Sequence, residues 1–318
     1  MNMSKRMRLT TKDLAALRFF ETAARLQNFV RAAVELSITQ GAVSQQIKHL
    51  EESLGCKLFC RLPGRIKLTD EGKRFAEVVA RSLRDIDEEA TRISNPGRAD
   101  LKVRLRAGPS FAQRWLAPRL GRLQTRHPGI TLHVIADYGY FDPGERNFDL
   151  AIELVKGPMP VLHTELLMAE YLIPVCSPAY LTQHGPLRNP EDLGRCTLLH
   201  DGDAWEAATE DAEWRHWLNT VGTPQVDSSR GHFFTLSNIA LEAALSDQGM
   251  AMGRLSLVKE LLETKRLIAP FSHRVQSPTS YCLVYAKELA TRPAVTEVSR
   301  WLHEEAANDS TPFRAKRA

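Results

Sequence analysis

Thr39-Gln40-Gly41-Ala42-Val43-Ser44-Gln45-Gln46-Ile47-Lys48-His49-Leu50-Glu51-Glu52-Ser53-Leu54-Gly55 is the stretch on which the reading of this 318-residue chain turns. Val43, Ile47, Leu50 and Leu54 recur at the spacing of one helix face, which predicts a helix over Gln40–Leu54. Thr39 offers an N-cap oxygen and Gly55 a stop. The opposite face gathers Gln40, Ser44, Gln45 and Lys48 near the N-terminal end, and Gly41 and Ala42 are small enough for close approach. No acid precedes Glu51. Gln pairs with adenine, Ser with several base edges, and Lys with guanine or phosphate. These are the residue types of a helix that reads a DNA groove, although a plain solvated face could carry them too.

Outward from this helix the pattern extends in both directions. Leu14, Leu17, Phe20 and Ala24 repeat as an amphipathic helix that Asn28 ends, and Ala32, Ala33 and Leu36 form the inner face of a shorter one. Ser37-Ile38-Thr39 then breaks the period, leaving two short helices around a tight turn, the helix-turn-helix pattern. Downstream, Leu58–Thr69 reads as a hairpin turning at Pro63-Gly64. Arg61, Arg65 and Lys67 stand on it as a basic wing suited to phosphates.

Charge supports that division. Residues 1–74 hold 14 Lys/Arg against 7 Asp/Glu, whereas the remaining 244 hold 28 against 31. A head of +7 on a body of −3 is the footprint of a nucleic-acid module joined to something else. No apolar run reaches the ~20 residues needed to cross a bilayer. The basic start leads into polar residues, not an apolar core, so the expected place is the cytoplasm, with no membrane role. Five scattered cysteines argue against a disulfide framework, and Cys56 and Cys60 lack a second pair at zinc spacing. No metal or cofactor is expected.

The run Ala32-Ala33 … Leu36-Ser37-Ile38-Thr39-Gln40-Gly41-Ala42-Val43-Ser44-Gln45-Gln46-Ile47 … Leu50-Glu51 … Leu54-Gly55 … Leu58-Phe59 … Arg61 … Leu68-Thr69 … Gly72 resembles the signature of LysR-type transcriptional regulators. Cys60 departs from it, where such proteins often carry a basic residue. The resemblance implies a winged helix-turn-helix over 1–69, with Thr39 and Gly41 added to the DNA-facing set. It also implies a dimerising linker helix over 70–97, where Val79, Leu83, Ile86, Ala90 and Ile93 alternate at heptad spacing. That stripe could instead pack on its own domain.

From Lys102 the chain changes character. Lys102–Ala107 reads as a strand, Gln113–Arg126 as a helix and Ile130–Ala136 as a strand, a βαβ unit of an α/β fold. Further strands are predicted at Leu150–Leu154, Tyr171–Cys176 and Tyr281–Tyr285, with helices at Ile239–Ser246, Leu255–Glu263 and Ala294–Ala306. This part resembles the LysR effector domain, similar in fold to periplasmic solute-binding proteins. That implies an effector domain over 98–305, with lobe I at 98–170 and 271–305, lobe II at 171–270, and a flexible tail at 306–318. Trp115-Leu116-Ala117-Pro118, Leu199-His200 and Gly249-Met250-Ala251-Met252-Gly253-Arg254 look like the branch of the glycine-cleavage activator and the β-lactamase-gene regulator. Glu153 departs from that branch, where arginine is common.

Ligands of open α/β lobes bind at the carboxyl ends of strands, near helix starts. Ser110-Phe111 and Ser237-Asn238 each open a helix after a strand, and the resemblance turns both toward the cleft with Tyr281 beside them. Each serine could equally just cap its helix. The expected effector is a small molecule, by this reasoning an anion. Other expected partners are promoter DNA, RNA polymerase for an activator, and further copies of the chain in a homodimer or homotetramer. Two other classes compete with this one. A solute-binding module would not explain the head. An enzyme would need a catalytic motif, and the one match, Ser256-Leu-Val-Lys259, lacks its S-D-N and K-T-G companions.

Overall fold

The computed structural model describes residues 9–62, 65–94, 101–137, 148–159, 162–205 and 207–309. Expectations about the first eight residues, the Pro63-Gly64 turn, the Asn95-Pro96-Gly97 boundary and the tail beyond Asp309 lie outside these. So do those about the side chains of Arg61 and Arg65. The chain packs as two units, Met1–Pro96 and Gly97–Ala318.

In the first unit, α1 (Thr11–Leu26) begins where Thr10 Oγ1 accepts the Asp13 N–H and Asp13 accepts the Thr10 N–H in return. Those bonds hold the Asp13 carboxyl below its usual range. Asn28 does more than end α1. Its Oδ1 accepts from Val30 and Arg31 and so starts α2 (Phe29–Glu35). Thr39 accepts from Ala42 at 3.2 Å to start α3 (Gln40–Leu54), which stops at Gly55 with φ 70°. β1 (Phe59–Leu62) and β2 (Arg65–Leu68) pair antiparallel as the hairpin. α4 (Asp70–Ser94) follows, with the Gly72 N–H donating to Thr69 Oγ1. Gly72 is a close approach, since a Cβ there would lie 2.1 Å from the Leu58 carbonyl oxygen.

The head's core joins Ala16, Phe20, Ala23, Ala32, Ala33, Val43, Ile47, Leu50, Leu58, Phe59 and Val79. All four helices and the hairpin thus bury their apolar faces against one another. Val79 therefore belongs to the head itself, and Leu83 packs partly against it. Only Ile86, Ala90 and Ile93 continue the stripe in the open, Ile86 at 63% and Ile93 at 76% exposure. The heptad stripe is thus part core and part exposed surface.

The second unit is built on one mixed sheet in the order β4-β3-β5-β10-β6-β9-β7-β8. Its strands are β3 (Lys102–Ala107), β4 (Thr131–Ala136), β5 (Leu150–Val155), β6 (His163–Val175), β7 (Leu198–Asp201), β8 (His232–Phe234), β9 (Met250–Arg254) and β10 (Val275–Tyr285). β3 runs parallel to β4 and β5, and β7 parallel to β8 and β9. The long antiparallel pair β6 and β10 joins the two groups, and from Leu172 onward β6 also pairs with β9. This is the two-lobed arrangement with two crossing strands. Both crossing strands are longer than the predicted Tyr171–Cys176 and Tyr281–Tyr285; the added residues of β10 alternate between buried and exposed, and those of β6 mix half-buried, exposed and buried positions.

The helix after β3 starts at Pro109, earlier than predicted. It comprises α5 (Pro109–Phe111), a π turn (Ala112–Leu116), a 3-10 turn (Ala117–Arg119) and α6 (Leu120–Arg126). Then come α7 (Pro178–His184), α8 (Ala212–Thr220), α9 (Ser237–Leu245), α10 (Leu255–Glu263) and α11 (Pro293–Asp309). α11 outruns the predicted Ala306 end. Its Asp309 accepts from Trp115 Nε1 and Arg119 at 2.7 Å and from Lys259 at 3.0 Å, so the chain is anchored where a flexible tail was expected to begin.

Candidate functional site

On the head, the inner face of α3 is tied down while its outer face is open. Thr39, Gln40, Gly41, Gln45 and Lys48 are exposed and Ser44 is half-buried. Among the described residues Lys48 meets only Glu52, at 3.6 Å, a weak surface pair. Lys67 is exposed on β2, and Arg61 and Arg65 stand on the paired strands of the hairpin. The hairpin is fixed to α3 through Glu51, a residue the sequence reading did not single out. Its buried carboxylate accepts the N–H groups of Leu58 and Phe59 at 3.0 and 3.2 Å and the Lys57 ammonium at 2.6 Å. Glu51 thus ties the first strand of the wing to α3.

In the second unit, the starts of α5 and α9 meet. Ser110 Oγ accepts the Asn238 N–H at 3.1 Å. The Asn238 side chain accepts from Arg114 Nε at 2.8 Å and donates to Gln113, and Arg114 also reaches Glu242. Neither serine caps its own helix: the N-cap residues of α5 and α9 are Gly108 and Leu236, and neither helix has a side-chain cap. Ser237 Oγ donates instead to Asp201 at the end of β7. Asp201 also receives Arg254 Nη2 at 3.1 Å, while Arg254 Nε donates to Glu213 at 2.9 Å. Tyr281 is buried beside this group, and burial pushes its hydroxyl pKa up.

The predicted residues therefore converge, with changed roles for two. Asn238 is held by Ser110 of α5 and by Gln113 and Arg114 of the π turn that follows it. Phe111 is buried in the core, its ring 4.9 Å from Trp115 and 4.4 Å from Tyr281, so it backs the Tyr281 ring. Glu153, paired in register with Cys282, points to the face opposite Tyr281 and meets Arg106. Its departure from the expected arginine bears on that outer face and not on Ser110, Ser237 or Tyr281. Asp201, Glu213 and Arg254 were missed. Their only sequence sign is an arginine closing the apolar run Met250–Gly253.

The Ser256–Lys259 pair has structural work. Ser256 bonds to Glu170, and Lys259 bonds to Asp309. Among the described residues no His, Cys, Asp and Glu group has a metal-holding arrangement, and no helix is long and apolar enough to cross a membrane.

Residues 14–73 match the bacterial regulatory helix-turn-helix proteins of the lysR family, and residues 97–307 match the LysR substrate binding domain. The chain belongs to the LysR family. It is 36% identical to the glycine cleavage system transcriptional activator of Escherichia coli (strain K12), over 98% of each chain. Among solved structures it resembles the effector domain of AmpR from Pseudomonas aeruginosa, with 28% identity and a TM-score of 0.56, covering 66% of this chain and 96% of that one. CrgA of Neisseria meningitidis, at 24% identity, shares the fold with a TM-score of 0.55 over 92% and 99%. This LysR-type regulator thus falls in the branch its sequence suggested. It is a DNA-binding transcriptional regulator whose second unit is an effector-binding domain.

Proposed function

We propose that Thr39, Gln40, Gly41, Ser44, Gln45 and Lys48 meet base edges and phosphates of promoter DNA, and that Arg61, Arg65 and Lys67 follow the backbone as the wing. In the second unit, Ser110, Ser237 and Tyr281 contact the effector. Phe111 supports Tyr281, and Asn238 ties the lobes. Exposed Ile86, Ala90 and Ile93 join linker helices of two copies, in a homodimer or in a homotetramer made of two such dimers. The regulator works in the cytoplasm at the nucleoid, touches RNA polymerase where it activates, and catalyses no reaction.

The observation that carries the effector reading is the Ser110–Asn238 bond, which brings two helix starts to one place while leaving both helices without side-chain caps. An effector acts by binding one lobe arrangement better than another. Ser110→Ala and Ser237→Ala are expected to weaken the promoter's response to effector by about tenfold each, the worth of a hydrogen bond to a charged group. DNA binding without effector should stay, because the head has its own core. Reporter titrations and gel shifts on the two variants test this, and an unchanged effector response would overturn it.

A further inference from the structure

The carboxyl ends of β7 and β9 hold a charge imbalance. One guanidinium, Arg254, lies among three carboxylates: Asp201 and Glu213 in direct contact, and Glu170 near enough to act on it electrostatically. All four residues are more than nine-tenths buried. Buried carboxylates need pairing and hydrogen bonds. Glu170 has them, accepting from the Tyr171 N–H at 2.8 Å, the Ser256 N–H at 3.2 Å and the Ser256 hydroxyl.

The other two are short of donors. Asp201 gives Oδ2 to Arg254 and Ser237, and its Oδ1 receives one long bond, from the Asp203 N–H at 3.4 Å. Glu213 gives Oε1 to Arg254, and among the described residues its buried Oε2 accepts nothing. Burial pushes Glu213 up to about 7, as expected of a carboxylate without a second donor. Among the described residues this edge is short of one cationic donor. It also adjoins the start of α9, because Ser237 bonds to Asp201.

We propose that the effector is a compact zwitterion whose ammonium nitrogen is held by Asp201 and Glu213 and whose anionic end lies at the start of α9 beside Ser110. The inference rests on the placement of the effector at Ser110 and Ser237, and it replaces the plain anion expected from helix starts alone. A ligand carrying only negative charge would meet Asp201 and Glu213 as like charges, a built-in rejection. A zwitterion supplies the missing donor and uses the helix start as well.

The test is calorimetric titration of the full-length protein at pH 8. The probes are glycine, L-alanine and L-serine, their amine-free counterparts acetate, propionate and 3-hydroxypropionate, and their carboxyl-free counterparts methylamine, ethylamine and ethanolamine. At least one amino acid should bind, with both of its counterparts weaker by about tenfold or more. Glu213→Gln and Asp201→Asn should each lower its affinity by about the same factor, with melting curves showing that the variants fold. The wild-type affinity should fall as pH drops through about 7, where Glu213 takes up a proton, and Glu213→Gln should flatten that fall. Equal binding of the amine-free acid, indifference to both substitutions, or binding by none of the amino acids would overturn the proposal. An acid that binds and is lost in Ser237→Ala would keep the site and remove the ammonium's role. An amino acid whose binding survives both Ser110→Ala and Ser237→Ala would remove the site.

Discussion

Glu51 shows how one side chain can set a recognition surface. It is buried behind the wing, and two buried N–H groups at the start of the wing depend on it. A buried donor that loses its acceptor costs about 1–3 kcal/mol, so Glu51→Ala should destabilise the head by about 2 kcal/mol or more and speed amide exchange at Leu58 and Phe59. Glu51→Gln keeps an acceptor and should lose less; equal exchange in the alanine variant and the wild type would refute the clamp. Glu213 makes a prediction of a different kind. Burial raises its carboxyl from 4.5 to about 7, so between those values the folded chain binds a proton that the unfolded chain has released. Stability from this group is therefore present at low pH and is lost as pH rises through about 7. Denaturant midpoints of Glu213→Gln relative to wild type should move in the variant's favour from pH 5 to pH 8. A flat difference would mean that Glu213 stays ionised throughout.

At the scale of the element, α4 divides into a buried and an exposed part that its sequence period does not distinguish. Val79 is 3% exposed in the head's core, Leu83 is half-buried beside it, and Ile86 and Ile93 stand in the open. Val79→Ala should cost about 1–3 kcal/mol of head stability and leave assembly intact. Ile86→Glu should separate the protomers in sedimentation runs at unchanged melting temperature, and Leu83→Glu should do both. An Ile86→Glu variant that sediments as wild type would place the dimer contact elsewhere. The elements that were legible have local causes. α3 has Thr39 and Gly55 at its ends, and α10 has an apolar stripe that fills Leu255–Glu263. β7 and β8 escaped because the first is buried on both faces and the second is three residues long, so neither shows a period. The site was half legible for the same reason. Serines at helix starts can be read from neighbours in sequence, but Asp201, Glu213 and Arg254 meet across 41 to 53 positions, and only the fold brings them together.

Across the whole molecule, charge and fold divide the labour in the same place. The surplus of seven positive charges lies within residues 1–74, on the unit that carries α3 and the wing, and the effector-binding unit is close to neutral. DNA binding should therefore depend steeply on salt, with each phosphate contact adding about 0.9 to the slope of log affinity against log salt. Lys67 is exposed on the wing and within the described residues bonds to no acid, so Lys67→Ala should shallow that slope by about one unit and weaken all DNA sequences alike. Gln45 is exposed on α3 and uncharged. Gln45→Ala should leave the slope unchanged and narrow the gap between the target site and a scrambled one by about 1–3 kcal/mol. Binding isotherms of the full-length protein from low to physiological salt, on both DNAs, separate the two effects. If Lys67→Ala changed sequence preference at constant slope, the wing would be reading bases. If Gln45→Ala weakened both DNAs equally, α3 would be meeting the backbone, and the assignment of base reading to its exposed face would fall.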